Sequence, residues 1–446
     1  MSAVLKHGEA RHVDAVVVGA GLGGLSTALR LQQLGLSVLV LDKSDRVGGL
    51  CGTVEHGGLP RVIACNDFGK GVLKDLADMG VSHPFERTRT RIVHRGQAYS
   101  LPPDMSTLGK LSTRLPSIWR YLKGMRQARQ SGFQPIASLE RLMAHSQIDA
   151  RTADLLMLPA YLMGVSPDRF RLDALDDEFQ HGYGYTHPVT PSGGPQALAD
   201  AMAHQFRRRG GEIMLGCEFL HVSTDEAQGK QAWTTRGPIR CELLVSTLPA
   251  AQADDGMCEP GLPISMLWLT VSTAYRFPAG IHTHVHYPPG IRQWFGDIYD
   301  GRLPDEFAFH VFSSDVPHPK DRFTANVYFY LPKGQEEDPY IQDQAQHYIF
   351  SQLEGLLPGL RQHILASHMV SPAVFKARHG FEARVTPLIT RVGTPKPGNY
   401  CAVTDTYFAG AAAYPPGDHA GAAIRSSRHV AQLVARQYSR RHIEAA

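Results

Sequence analysis

An α/β fold is what this sequence predicts, on three observations: a short apolar run ending in a glycine cluster near the N-terminus, a second apolar run closing on a carboxylate, and a strand, glycine-rich turn and helix that return near the C-terminus. Asp14-Ala-Val-Val-Val-Gly19 reads as a strand buried on both faces of a parallel sheet. Leu25, Ala28, Leu29 and Leu31 then give one face of a helix over Leu25 to Leu34, closed by Gly35. Ser37-Val-Leu-Val-Leu-Asp42 is the second strand, and right-handed crossover makes the two strands parallel neighbours.

Further along, Leu101 to Gly132 reads as long basic helices and Leu139 to Leu162 as another helical stretch. Thr190-Pro-Ser-Gly-Gly-Pro195 breaks the chain before a helix over Gln196 to Arg209. Strand-like runs follow at Glu212 to Leu215, Glu218 to Val222 and Leu243 to Leu248. Between Pro263 and Leu331, short aromatic and β-branched runs separated by Pro and Gly predict an antiparallel sheet of a different domain. A helix over Tyr340 to Leu357 comes next, and Tyr407 to Gln437 reads as strand, glycine turn and helix.

A chain of 446 residues exceeds what one core supports, so two domains are expected. An apolar share of 43% and a charged share of 20% suit a globular chain, and a net charge of +3 gives no argument for nucleic acid. The six cysteines, Cys51, Cys65, Cys217, Cys241, Cys258 and Cys401, show no C-x-x-C pair, so reduced thiols in a cytoplasm are expected, with neither a disulfide framework nor a metal. The polar N-terminus lacks the shape of a signal peptide. No run reaches the roughly 18 to 20 apolar residues of a membrane span. The expected location is cytoplasmic, or peripheral at a membrane.

Gly19-Ala-Gly21-Leu22-Gly23-Gly24 fits G-x-G-x-x-G between a strand and a helix, the context of a Rossmann-type dinucleotide site. Gly19 permits the tight turn, Gly21 lets the backbone approach a pyrophosphate, and Gly24 lets helix and strand pack closely. The helix N-terminus offers free N–H groups to phosphate. Asp42, with Lys43 beside it, stands where a carboxylate accepts from a ribose hydroxyl and repels a 2′-phosphate, which argues against NADP. Arg46-Val-Gly48-Gly49 adds a guanidinium and two glycines where the chain passes back over the phosphates, a feature of FAD enzymes more than of NAD enzymes.

Asp14 to Gly49 resembles the amine oxidase and phytoene desaturase group of FAD-dependent oxidoreductases, and the likeness continues down the chain. Pro191-Ser-Gly-Gly194 is similar to the break before that group's central helix, and Leu243 to Pro249 to its returning strand. The resemblance puts Phe219, in Gly211 to Phe219, by the adenine. Tyr407-Phe-Ala-Gly410-Ala411-Ala-Ala-Tyr-Pro-Pro-Gly417 resembles the closing flavin motif, and Gly410, Ala411, Asp418, His419 and Ala420 are carried over as flavin contacts. Tyr161 to Pro167 and Leu303-Pro-Asp-Glu-Phe-Ala-Phe favour the phytoene desaturase branch. Two departures stand out: Asp418-His419 replaces the usual end of the Pro-Gly motif, and Ala411 replaces an acidic residue. The expected architecture is an α/β Rossmann-type FAD-binding domain assembled from discontinuous segments (1–95, 190–262 and 372–446). An α+β substrate domain of mixed or antiparallel sheet plus helices is inserted between them (96–189 and 263–371).

His419 is the catalytic candidate, because an imidazole by the flavin stabilises charge on the reduced ring or accepts a proton; it equally suits a hydrogen bond within the turn. Asp149 and Arg151 occupy a position resembling an acid and arginine pair of the desaturase branch, but at i and i+2 of a helix they do not face one another. His282, His284 and His286 alternate, so on a strand all three project from one face, as a polar outer face or a metal site. Lys110, Arg114, Arg120, Lys123, Arg126 and Arg129 among Leu108, Leu111, Leu115, Ile118, Leu122 and Met125 give basic amphipathic helices, suited to an anionic membrane or simply to water. No second glycine fingerprint follows a strand, so dioxygen or a quinone is the expected electron acceptor. The expected activity is a desaturase or oxidase that moves hydride from a C–H bond of a mainly apolar small molecule to flavin N5. A flavin amine oxidase is the first alternative; a redox-neutral isomerase and a non-catalytic prenyl-protein-binding member of the fold are the others.

Overall fold

Arg11–Val18 lies between Val38–Leu41 and Gly237–Ser246 and runs parallel to both. Ala15, Val16 and Val17 are fully buried, as a strand covered on both faces requires. The computed structural model describes residues 11–183, 187–225, 229–248, 257–313, 315–379, 388–417 and 419–444. Glu212–Met214 extends the sheet beyond Val38–Leu41, and Thr406–Phe408 docks on Gly237–Ser246, both in parallel. Gly229–Thr234 and Phe219–Asp225 continue it antiparallel. Among the described residues this sheet has eight strands. The helices Leu22–Gln33, Gly194–Arg208 and Ala420–Glu444 share one core on its face, where Leu25, Leu29, Leu198, Met202, Phe206, Ile424 and Val430 interlock. One sheet is thus completed by residues from both ends of the chain.

The second sheet has seven strands among the described residues, in the order Ile364–Val370, Ile264–Ser272, Arg322–Tyr330, Phe309–Ser313, Ile281–His286, Arg89–His94, Gln97–Leu101. Neighbours are antiparallel except for Ile281–His286 with Arg89–His94. One face packs on the helix Pro339–Leu356 through Val327, Phe329, Ile341, Ala345 and Ile349. On the other side Val285, Tyr287 and Tyr330 join the helices Leu139–His145 and Leu158–Met163 and the helix Ile291–Tyr299.

Two expectations are corrected by this layout. The boundary at residue 95 leaves Arg89–His94 with the dinucleotide domain, yet it is a strand of the second sheet. Thr90, Ile92 and His94 alternate into the interior, and Arg95 and Gly96, both at positive φ, turn the chain directly into Gln97–Leu101. The single helical stretch over Leu139 to Leu162 is three helices, Leu139–His145, Ala150–Leu156 and Leu158–Met163. Ser138 and Asp149 cap the first two, and Pro159 sits in the first turn of the third.

Candidate functional site

The glycine turn is steric before it is anything else. Gly19 has φ +101°, and a Cβ there would lie 2.0 Å from Thr247 Oγ1. At Gly24 a Cβ would lie 1.8 Å from the carbonyl oxygen of Gly19, so only glycine lets the helix Leu22–Gln33 sit on the turn. Gly23 faces Gly410, its Cβ position 3.1 Å from Gly410 Cα, so these two hold helix and closing loop together. Over Gly21 the space is open, with only Gly48 O at 4.0 Å from the Cβ position. Gly21 is also the N-cap, with no side-chain cap and no acid in the first turn, so the positive end of the helix is left for an anion.

The Arg46 to Gly49 segment returns over this turn: Gly48 N–H donates to Ala20 O at 2.8 Å, and Gly21 and Gly48 form a parallel bridge. The half-buried Arg46 guanidinium donates to Gly49 O at 2.9 Å and to Val47 O at 3.3 Å, and reaches Gln196 Oε1 at 3.4 Å on the helix after Pro191-Ser-Gly-Gly194. Asp42 ends the second strand as expected; its carboxylate accepts from Ala20 N–H at 2.6 Å and Ser44 N–H at 2.8 Å. Lys43 is exposed beside it. Phe219 opens a strand that packs with Leu39, Leu41 and Cys217, and Cys217 N–H donates to Asp42 O at 2.9 Å, so Phe219 stands past the carboxylate. An open glycine backbone, an uncapped helix start and a carboxylate at the strand end fit a dinucleotide such as FAD.

At the other end, Gly410 N–H donates to Ser426 Oγ at 2.7 Å, Ala411 follows half-buried, and Ala420 begins the final helix. Asp418 lies outside the described residues. Lys396 donates to Gly417 O, and Asn399 Nδ2 donates to Phe408 O and Tyr414 O at 3.0 and 2.8 Å, which pins the loop. His419 Nδ1 accepts from Gly421 N–H at 2.9 Å. That fixes the proton on Nε2, which approaches Oε1 of the buried Glu178 at 2.7 Å, off the line of an aligned hydrogen bond. A Cβ at Gly417 would sit 3.2 Å from the same Oε1, so glycine there leaves room for the carboxylate. A cavity of about 20 Å³, the space of one water, lies between Glu178, Gly417, Val165, Phe170 and Ile389. Nδ1 of His419 is thus hydrogen-bonded within the turn, while Nε2 lies against the Glu178 carboxylate without an aligned hydrogen bond.

Between the two ends the chain brings together residues that the sequence did not single out. The segment Pro60 to Asn66 is stitched to alternate residues of Arg322–Tyr330: Thr324 Oγ1 donates to Pro60 O (3.1 Å), Asn326 Nδ2 to Val62 O (2.8 Å) and Tyr328 OH to Ile63 O (2.7 Å). Asn66 Nδ2 donates back to Tyr328 OH at 3.2 Å. Ile63 N–H donates to Gly52 O at 2.9 Å, so the same segment also lines the glycine loop. Asp67 follows it, and burial raises its carboxyl to about 6 against its own backbone N–H, which lowers it. In sequence, Cys65-Asn-Asp67 looks like any polar turn. Glu178 sits on a helix, Leu172–Gln180, that carries three aspartates and reads as an acidic surface helix.

Other candidates go elsewhere. Asp149 caps the helix Ala150–Leu156, accepting from Thr152 N–H at 3.0 Å and Ser117 Oγ–H at 2.7 Å. Although desolvation raises its carboxyl, those hydrogen bonds outweigh it and hold the group down at about 2, and Arg151 is exposed. The three alternating histidines are not a polar outer face. His284 and His286 lie under Pro339–Leu356, where His286 stacks on Phe309 at 4.9 Å and bonds Tyr348 OH at 3.0 Å. A register shift turns His282 onto Phe312. Burial lowers all three to about 4. Among the described residues no group of three or more His, Cys, Asp or Glu could hold a metal ion. On the basic helices, Met105–Ser112 and Leu115–Gln130, Met105 is 83% and Trp119 63% exposed, and Leu108, Leu115 and Leu122 are exposed with them. No described helix is long and apolar enough to cross a membrane.

The family described as DAO, FAD dependent oxidoreductase, matches residues 14–419. Among curated relatives the chain is similar to the lycopene-forming phytoene desaturase of Pantoea ananas, 25% identical with 92% of this chain and 95% of that protein covered. It is 23% identical to the neurosporene-forming phytoene desaturase of Rhodobacter capsulatus, with 94% and 93% covered. Among solved structures, a putrescine oxidase redesigned in its cofactor binding superposes with a TM-score of 0.68 at 15% identity, over 95% of this chain and 99% of that one.

Proposed function

The chain belongs to the family of FAD-dependent oxidoreductases, and from that premise we propose that it oxidises a C–H bond of a mainly apolar small molecule and leaves an unsaturated product. The observation that carries the substrate class is the aromatic side of the second sheet, which meets the Pro60 to Asn66 segment through Tyr328 and the helices through Tyr161 and Tyr330. Tyr328 meets Phe312 at 4.7 Å and His310 at 5.4 Å; Tyr161 meets Tyr287, Trp294, His310 and Tyr330 within 6.0 Å. Burial lowers His310 to about 3, so the aromatic wall carries no charge. Such a wall suits a π-rich or hydrocarbon substrate better than a cation that must lose its hydration.

Gly19, Gly21, Leu22, Gly23, Gly24, Asp42, Lys43, Arg46, Gly48, Gly49 and Phe219 would hold the nucleotide half of FAD, and Gly410, Ala411, His419 and Ala420 would meet the flavin half. When bound, FAD supplies the two-electron acceptor for a hydride. His419, with Nδ1 on the final helix and Nε2 toward Glu178, acts as an orienting residue that presents a fixed N–H tautomer. The helices Met105–Ser112 and Leu115–Gln130 rest on an anionic membrane, with Leu115, Trp119 and Leu122 in one stripe at i, i+4 and i+7 and Lys123 Nζ over the Trp119 ring at 5.5 Å. Dioxygen or a quinone takes the electrons away.

The test is anaerobic mixing of the purified holoenzyme with polyenes, acyl chains and amines in turn, followed by dioxygen. Bleaching of the flavin by a polyene or acyl chain is expected, and recolouring by dioxygen identifies the acceptor. Bleaching by amines alone would establish C–N oxidation instead. Turnover that needs a reductant without consuming it would mark an isomerase, and a protein that binds no flavin a prenyl-protein carrier.

A further inference from the structure

We propose that a cavity between the second sheet and the strand Phe85–Arg87 is a binding site for a small, flat monocarboxylate, an aromatic acid held by Arg87 and Arg276. None of the residues assigned above to FAD lines it, and the inference stands apart from the C–H oxidation.

The cavity has a volume of about 320 Å³, within the range that ligand pockets occupy. One wall is Arg87, Thr88 and Thr190, from the small sheet in which Phe85–Arg87 and Phe68–Gly69 flank Pro188–Pro191. The other belongs to the second sheet: the turn that leads into Ile281–His286, the end of Phe309–Ser313 and the start of Arg322–Tyr330. The two walls are tied where Gly193 N–H, at the start of the helix Gly194–Arg208, donates to Asp315 Oδ2 at 3.3 Å. A seam between two packed units is a preferred place for a small-molecule site.

Arg87 and Arg276 reach the cavity from its two walls, and among the described residues neither guanidinium is hydrogen-bonded or ion-paired. An exposed guanidinium is at ease in water, so either one alone would not make a site. Here they share the cavity with aromatic rings and an unsatisfied hydroxyl. Tyr275 and Phe323 stand edge-on to Phe277 at 5.5 and 6.0 Å, a wall suited to a flat apolar body. Thr88 Oγ1 is buried without a hydrogen-bond partner, a cost that a ligand oxygen would remove. His282 also lines the cavity and stacks on Phe312 at 5.7 Å; burial lowers it to about 4, so it adds no charge near neutrality. Two carboxylates line the cavity as well. Asp315 already accepts from Gly193 N–H, and Glu86 pairs with neither arginine. That leaves two guanidiniums facing one uncommitted carboxylate, a balance that one further negative charge completes. A carboxylate matches the planar fork of arginine, and an aromatic ring behind it matches the wall.

The experiment titrates the FAD-loaded full-length protein with naphthoate by calorimetry. Naphthamide, which has the same rings without the charge, and inorganic phosphate, which has charge without rings, are the comparisons. Saturable naphthoate binding with a Kd of about 1 mM or below is expected, naphthamide at least about tenfold weaker, and phosphate weaker than naphthoate. Arg87→Gln and Arg276→Gln should each weaken naphthoate about tenfold, and Phe277→Ala should weaken naphthoate and naphthamide alike. Arg126→Gln, at an exposed arginine of the helix Leu115–Gln130, should change nothing. Arg87 and Arg276 are exposed, so both variants should keep wild-type flavin absorbance and Tm. Naphthoate should raise the Tm of wild type and release no flavin. Absence of saturable binding, or equal affinity for naphthoate and naphthamide, overturns the proposal. So does naphthoate affinity that stays within about twofold when both arginines are replaced, or displacement of FAD by naphthoate, which would move the site to the glycine loops.

Discussion

The dinucleotide half and the junction beside it hold their loops by opposite means. Around Gly24 and Gly48 the backbone touches backbone, at Gly19 it touches the Thr247 side chain, and the contacts exist because side chains are missing. Around Pro60 to Asn66 the loop is held by long side chains reaching across from the second sheet, Thr324, Asn326 and Tyr328. A contact made by an absent side chain tolerates almost no substitution. One made by a hydrogen-bonding side chain is graded, worth about 1 kcal/mol each, and leaves room for specificity to drift.

The largest effect should come from adding one methyl group to the first kind of contact. Gly24→Ala puts a Cβ 1.8 Å from Gly19 O, and should cost about 3 kcal/mol in urea unfolding and yield protein without flavin absorbance. Gly35→Ala, at positive φ but in open space, should cost only about 1 kcal/mol and keep its flavin. Equal losses at the two sites would mean that the close approach is not what matters.

That contrast also explains what the sequence made legible. Gly19 to Gly24, Asp42 and Arg46 to Gly49 were readable because steric need fixes residue type and spacing, and burial on both faces gives strands continuous apolar runs. Arg89–His94 was misassigned to the dinucleotide half because its sheet partner, Ile281–His286, is remote in sequence. Asp67 and Glu178 were missed for the same reason: a carboxylate's environment comes from segments distant along the chain, and nothing in Cys65-Asn-Asp67 announces it. His419 was found by position in a motif, but the motif did not reveal that Gly421 N–H bonds its Nδ1 or that Glu178 lies beside its Nε2.

Acid should separate the two halves next. Burial holds His282, His284 and His286 at about 4 and His310 at about 3, below the ordinary value near 6.5. Between those values the unfolded chain binds more protons than the folded one, so stability is full above about pH 6.5 and is lost as pH falls toward 4. Thermal unfolding followed from about pH 7 to about pH 5 should show a falling Tm, with hydrogen exchange rising first in the second sheet. His284→Leu should remove part of the slope; an unchanged slope would mean that these histidines do not carry it.

A smaller, localised effect is expected on the exposed helices. Replacing Leu115, Trp119 and Leu122 together by Ser should weaken partition onto anionic vesicles about tenfold or more, and added salt should weaken the wild type. Flavin content should be unchanged, since these side chains are exposed. Equal partition of both proteins would assign the stripe to another partner. Smallest of all, Asp149→Ala should cost about 1 kcal/mol through its lost cap and leave the rate of flavin bleaching at wild-type level. A large loss of rate would return Asp149 to the active site.

The most direct test of the whole account is the mass of the product after one anaerobic turnover, with flavin reduction counted against product formed. The account predicts a product lighter than its substrate by two hydrogens, its carbon and nitrogen content unchanged, and one flavin reduced per molecule. Release of ammonia or an aldehyde from an amine, with no dehydrogenated apolar product, would contradict it.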